Sequence, residues 1–133
     1  MFGKKKLDLP AGVRLWHYEG VPQFPTNGPA FLNVEGADLL IRTVQPDSVA
    51  KLPTDRITGL DWLQETHYMG RFHNCPSSTA KANAEKWIVM INYATKEGSP
   101  AHMAFWTLRR KDYDDVEGML KGVNALGSKE ISL

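Results

Sequence analysis

The sequence has little of what secreted, membrane-spanning or metal-clustering proteins require. Its 133 residues include one cysteine, Cys75, so no disulfide or multi-thiolate metal site is expected within the chain. No apolar run approaches the ~20 residues that span a bilayer. The basic N-terminal stretch is followed by no apolar segment of the kind found in signal peptides. We therefore expect a cytoplasmic protein.

An excess of one charge is also lacking. The chain has 16 basic and 15 acidic residues, for a formal net charge of +1. This balance gives no overall attraction to nucleic acid or acidic lipid, and we expect no nucleic-acid partner. What the chain does have is apolar material: 42% of its residues are hydrophobic, among them four tryptophans. That content is sufficient for the core of one folded domain.

As far as residue 111, clusters of Gly, Pro and Asn divide the chain into short segments rich in β-branched and aromatic residues, a pattern typical of antiparallel strands. The predicted strands are Val13–Tyr18, Phe31–Glu35, Leu39–Val44, Ser48–Leu52, Arg56–Leu63, Lys86–Tyr93 and Ala101–Leu108. Gly59 predicts a bulge or a close backbone approach in the fifth strand. The sixth strand is nearly all apolar, which predicts that it is buried on both faces or lies deep in a barrel. Gln64–His73 predicts an additional edge strand.

The apolar spacing changes from two to three and four at Asp112. The residues that make one helical stripe are Val116, Met119, Leu120, Val123 and Leu126. Asp112 is predicted to cap the N-terminus of this helix, and Gly127 to end it. The sequence therefore predicts a mainly β fold, with about seven antiparallel strands followed by one C-terminal α-helix.

Several stretches resemble bacterial pleckstrin-homology-like (PH-like) domains, in particular small Gram-positive-type members. These stretches are Gly12–Pro22 (first strand and following loop), Asp38–Arg42 (third strand), Leu52–Leu60 (entry to the fifth strand) and Lys86–Trp106 (late hairpin). The resemblance implies a PH-like barrel, in which two near-orthogonal sheets are capped by the helix. We place this domain at residues 12–127, between a flexible basic tail (1–11) and a C-terminal tail (128–133).

The family resemblance implies a binding or adaptor module rather than an enzyme. We expect a non-catalytic interaction module whose partner is another protein or a second copy of the chain. An exposed sheet edge can accept a strand from either. The candidate interaction surface lies on the predicted edge strand and consists of Thr66, Tyr68, Arg71, Phe72 and His73.

The runner-up is a peripheral membrane or lipid-binding module. Lys4, Lys5 and Lys6 are the candidate attraction to an anionic surface, and they leave weak membrane contact open. Specific phosphoinositide binding is disfavoured, because the loop at residues 20–29 contains no Lys or Arg to surround the phosphates.

A small enzyme using Cys75 is a third alternative, with His73 or His67 as the base. Asn74–Pro76 has the character of a turn rather than of a strained nucleophile elbow, which makes this the weakest of the three. In a strand, His67 and His73 would lie roughly 20 Å apart and could not chelate one ion. We therefore predict no catalytic residue, no metal and no cofactor.

Overall fold

The computed structural model describes residues 11–44, 47–73 and 86–122. In these ranges the chain forms seven strands, two α-helices and one 3-10 turn. The strands are β1 (Val13–Glu19), β2 (Pro29–Glu35), β3 (Asp38–Val44), β4 (Asp47–Pro53), β5 (Ile57–Gln64), β6 (Trp87–Ala94) and β7 (Pro100–Thr107). The helices are α1 (Glu65–Phe72) and α2 (Arg110–Lys121), and the 3-10 turn, Thr54–Arg56, joins β4 to β5.

The strands form one antiparallel sheet in the order β4-β3-β2-β1-β7-β6-β5. Its two edges, β4 and β5, are consecutive in the chain. A flat sheet of this size would hold its edges roughly 29 Å apart, whereas the three-residue turn between them reaches at most about 14 Å. The sheet must therefore curl until its edges approach each other at that turn, which fits a β-sandwich or barrel-like fold.

The main core lies on the inner face of the curled sheet. Every strand contributes to it: Leu15, Leu32, Ile41, Leu52, Ile57, Val89 and Phe105 come from β1 to β7 in turn. From α2, Val116 and Leu120 are fully buried in the same cluster. Because side chains alternate between the faces of a strand, α2 covers one face of the sheet and leaves the other to α1.

The outer face carries a second, smaller cluster under α1. Tyr68 of α1 packs there with Ile88 and Met90 of β6 and with Ala104 of β7. Since Val89 and Ile91 of the same strand belong to the inner core, β6 is buried on both faces, and this prediction is confirmed.

All seven predicted strands are confirmed, with ends that differ from the prediction by no more than two residues. The irregularity expected at Gly59 is also present, because the register of β5 against β6 shifts between Ile57 and Gly59. The C-terminal helix is confirmed as well, although its predicted continuation through Val123 to Gly127 lies outside the described residues.

The predicted edge strand Gln64–His73 is wrong, because its central part is helix α1. Sheet pairing ends where the Glu65 amide donates to the Lys86 carbonyl at 3.0 Å. From there, Tyr68 and Phe72 are four residues apart and share one side of the helix, with ring centres 4.8 Å apart. Packing of these two rings on the outer face thus favours a helix over a strand in this segment.

The predicted cap of α2 is also wrong, because the helix begins at Arg110 and Asp112 lies in its first turn. The Asp112 side chain is buried and accepts hydrogen bonds from Thr107 Oγ1 and, at 2.6 Å, from Arg109 Nη2. This carboxylate therefore fastens the start of α2 to the end of β7.

Candidate interaction site

The residues predicted as an interaction surface lie on α1 and immediately after it. Tyr68 has no exposed surface, because the helix turns its ring onto the sheet. Thr66 is half-buried, while Arg71, Phe72 and His73 are exposed at the C-terminal end of the helix. A helix has no unpaired strand edge to offer, so strand addition is not available at this segment.

Tyr68 joins α1 to the sheet through a polar network with Glu19 of β1 and His102 of β7. Its hydroxyl donates to Glu19 Oε2 and lies 3.0 Å from His102 Nε2. Because the Tyr68 proton is directed at the carboxylate, His102 Nε2 must carry a proton and donate to the Tyr68 oxygen. His73 Nε2 donates to the same Glu19 oxygen at 2.7 Å. We call Glu19, Tyr68, His73 and His102 the polar network.

The polar network sets the charge of its members. Burial acts to raise the pKa of Glu19, but the hydrogen bonds from Tyr68 and His73 outweigh it, and the net pKa lies below the usual value. Burial and the neighbouring Glu19 carboxylate raise the pKa of Tyr68 far above its usual value. At neutral pH Glu19 is therefore ionised and Tyr68 keeps its proton.

A cavity of about 410 Å³ lies beside the polar network, between β1, α1 and the loop before β2. Its wall includes Glu19 and Glu65 as well as Lys86, so it presents both signs of charge. The Lys86 ammonium lies 4.5 Å from the centre of the Trp106 ring. The mixed lining gives this cavity no clear preference for an anionic or a cationic ligand.

A separate aromatic group lies on the inner face, where β5 and β6 approach α2. Trp62 stacks on Trp87, with ring centres 4.8 Å apart and planes 4° apart. The Tyr113 ring of α2 is 5.2 Å from Trp62. The Arg110 guanidinium lies 5.4 Å from the Trp62 ring centre and 5.0 Å from that of Tyr113. We call Trp62, Trp87 and Tyr113 the aromatic ledge.

The aromatic ledge connects α2 to the edge of the sheet. The helix backbone lies chiefly over β1 and β2, on the other side of the inner face. Side chains of the ledge therefore bridge the distance from α2 to β5. Both tryptophans are half-buried, so each keeps some surface in contact with solvent.

The two edges of the sheet differ in how they meet solvent. Among the described residues, no strand pairs with the outer side of β4 or of β5. β4 exposes Asp47 and Lys51 and ends at Pro53, features that hinder pairing with another strand. β5 runs in regular register from Leu60 to Gln64, next to the aromatic ledge.

Sequence reasoning missed the aromatic ledge. The pattern places Leu60 and Trp62 on one face of β5, which is a signal for a shared surface. It contains no signal that this surface meets Tyr113, because that contact depends on how α2 crosses the sheet. The predicted membrane-attraction residues Lys4, Lys5 and Lys6, and the candidate nucleophile Cys75, lie outside the described residues.

Metal-binding clusters and membrane-spanning helices are both absent from the described part of the chain. Within it, no group of three or more His, Cys, Asp or Glu side chains is arranged to hold a metal ion. Neither of the two described helices is long and apolar enough to cross a membrane.

Comparison with known proteins supplies no relative from which a function could be transferred. No family model, curated protein or solved structure matches this chain. The basis for a function is therefore the geometry of the sheet edges, the aromatic ledge and the polar network.

Proposed function

We propose that the protein is a non-catalytic interaction module of PH-like fold that binds a protein partner, or a second copy of itself. The strand order supports this fold, because β1 lies between β2 and β7, so that the last strand of the chain pairs with the first. In a PH-like barrel, β1 would join two near-orthogonal sheets, and α2 would cover the inner face between the two sheets.

The observation that carries the proposed function is the position of β5. This edge strand offers its outward backbone groups to a partner strand, and the aromatic ledge beside it offers apolar surface to the partner's side chains. In strand addition, main-chain hydrogen bonds supply affinity and neighbouring side-chain pockets supply specificity. Trp and Tyr are also the residues most enriched among interface anchors.

The non-catalytic part of the proposal is supported by the polar network. A cluster of carboxylate, phenol and imidazole groups is the kind of constellation that catalysis uses. Here the Tyr68 hydroxyl is directed at Glu19 and accepts from His102, and its raised pKa opposes loss of the proton. These contacts serve to attach α1 to the sheet.

The membrane and enzyme alternatives stay predictions, because Lys4–Lys6 and Cys75 lie outside the described residues. Within the described residues, the exposed Arg14 guanidinium lies 5.4 Å from the Trp16 ring centre, on the strand that precedes the loop without basic residues. This arrangement offers no cluster of cations for a phosphoinositide headgroup.

Selection of random peptides displayed on phage, with the full chain as bait, would test the proposed function. Selected peptides should bind the wild type, and Trp62→Ala should lower their affinity roughly thirtyfold, since tryptophan anchors contribute about 2 kcal/mol or more. Val49→Thr is the matched control, because Val49 is 52% exposed on the opposite edge strand. Light scattering over a range of concentrations would identify a second copy as the partner.

Either of two results would contradict this site. Affinity could be lost in Val49→Thr and kept in Trp62→Ala, which would place binding at β4. Alternatively, the selection could yield no binding peptide while the chain stays monomeric, which would leave β5 without a partner of this class. Circular dichroism of both variants would check that each keeps the wild-type fold.

A further inference from the structure

His17 directs all of its hydrogen-bonding groups at one loop, residues 20–28. In the backbone, its amide donates to the Gly28 carbonyl at 2.8 Å and its carbonyl accepts from the Asn27 amide at 2.6 Å. In the side chain, Nε2 accepts from the Val21 amide at 3.1 Å, and Nδ1 lies 3.2 Å from the Pro25 carbonyl oxygen. One residue therefore holds both ends and the middle of the loop.

These contacts determine the tautomer of the ring. A backbone amide can only donate, so Nε2 must be the unprotonated nitrogen. A carbonyl oxygen can only accept, so Nδ1 carries the proton and donates to Pro25. Both contacts are satisfied together by the neutral Nδ1-protonated ring and by no other form of the imidazole.

The loop is held in a conformation that needs support. Gln23 and Asn27 have left-handed backbones, with φ of 71° and 67°, and they are the non-glycine residues with positive φ among those described. Such conformations persist when the surrounding contacts over-determine them. The ring of Phe24 adds an apolar contact, with its centre 5.7 Å from that of His17.

The surroundings of the ring favour its neutral form. His17 is 3% exposed and lies between Phe24 of the loop and Phe105 of β7. Among the described residues, the titratable group that acts on it is Glu19 of β1, which also receives hydrogen bonds from Tyr68 and His73. Burial outweighs both the hydrogen bond to the Pro25 carbonyl and the Glu19 carboxylate, and it lowers the pKa of His17.

We propose that His17 is a proton-operated latch on residues 20–28: a proton taken up at Nε2 removes the acceptor of the Val21 amide and releases the loop from β1. The imidazolium would then turn an N–H toward the Val21 N–H. Release would also move Asn27, which lines the cavity beside the polar network, and its Oδ1 would then give up the 2.7 Å hydrogen bond from Trp106 Nε1. Mild acidification therefore reshapes that cavity without involving β5.

Long-range ¹H–¹⁵N spectra of the full chain at neutral pH would test the tautomer, which should be protonated at Nδ1. Amide exchange would test the release. Below about pH 6.5, the protection factors of Val21 and Asn27 should fall about tenfold for each pH unit, because the ring in the released loop regains its ordinary pKa and takes up a proton. The fall should end at the pH where the His17 ring in the closed loop also becomes protonated.

The variant His17→Gln separates the latch from simple burial. A glutamine can accept from Val21 and donate to Pro25 but does not titrate, so its loop protection should be independent of pH. His67→Gln, at an exposed position of α1, is the control and should behave as the wild type.

Three results would overturn the latch. The first is an Nε2-protonated ring at neutral pH. The second is loop protection that does not change with pH in the wild type. The third is a protection factor of Val21 equal to that of Ile91 throughout the titration, since the loop would then open only with the whole fold. If His17→Gln does not fold, the tautomer of His17 and the pH dependence of amide exchange in the wild type still test the latch.

Discussion

The polar network lies where β1 and β7 meet α1, whereas the aromatic ledge lies where β5 and β6 meet α2, and the two groups differ in what their side chains face. In the polar network, Glu19, Tyr68 and His102 face one another across the outer surface of the sheet. In the aromatic ledge, Trp62 and Trp87 stack face to face and leave part of each ring open to solvent. The side chains of the polar network therefore bond to one another, whereas the rings of the aromatic ledge are partly exposed to solvent.

This difference separates a structural site from a binding site. Residue types alone point to the polar network as the functional centre, because it has the titratable side chains. Its geometry shows groups that satisfy each other and hold α1 in place. The partly exposed rings lie beside β5, whose outer side has no partner strand among the described residues. They have more to gain from a partner, because binding buries apolar surface that still meets water.

The largest expected effect would come from breaking the polar network at its centre. Tyr68→Ala should lower the free energy of unfolding by about 3–5 kcal/mol, because it empties a fully buried aromatic site and removes one hydrogen bond each from Glu19 and His102. Tyr68→Phe keeps the ring and should lose only about 1–3 kcal/mol. Urea denaturation measures both. Equal losses in the two variants would mean that packing contributes nothing beyond the hydroxyl.

A smaller loss is expected from the aromatic ledge. Trp62→Ala should lower the free energy of unfolding by about 1–3 kcal/mol, because Trp62 is half-buried and loses stacking with Trp87 and Tyr113. The same denaturation experiment measures it. A loss as large as that of Tyr68→Ala would show that the ledge is core, and the contrast between the two groups would fail.

Acid should affect the polar network before it affects the ledge. The folded-state pKa of Glu19 is lowered from an ordinary value near 4.5. Its stabilising contribution is therefore complete above that value and is lost as the pH falls through the lowered pKa. Glu19→Gln should reduce the steepness of the acid-induced fall in stability, measured by urea denaturation at a series of pH values. A curve identical to that of the wild type would contradict this role.

The smallest effect is expected at the cation beside the ledge. Arg110 is exposed, forms a 3.0 Å ion pair with Asp114, and lies over Trp62 and Tyr113. Arg110→Gln should lower the free energy of unfolding by about 1 kcal/mol or less, since exposed cation–π and ion pairs contribute little. Thermal denaturation would measure it. A loss of several kcal/mol would mean that Arg110 is part of the core architecture.

The sequence predicted the strands well, because alternation and turn residues are local signals. β6 is an example: its continuous apolar run predicted burial on both faces. The same local reasoning failed at Gln64–His73, where a polar and aromatic segment fits both a strand and a short helix. The choice between them came from Tyr68, whose ring packs on an outer face that only the assembled sheet creates.

The site was less predictable than the fold for a related reason. Glu19 and His102 are far apart in the chain, and they meet at Tyr68 because β1 and β7 are neighbours in the sheet. Trp62 and Tyr113 meet because α2 crosses the inner face. Nothing in the spacing of these residues specifies either contact.

Hydrogen exchange on the complex with a selected peptide tests the central claim most directly. If the partner adds a strand at β5, amides between Leu60 and Leu63 that do not bond to β6 should exchange more slowly in the complex, while β4 amides should not change. Trp62→Ala should abolish this protection under the same conditions. Protection confined to β4, or to the exposed end of α1, would contradict strand addition at β5.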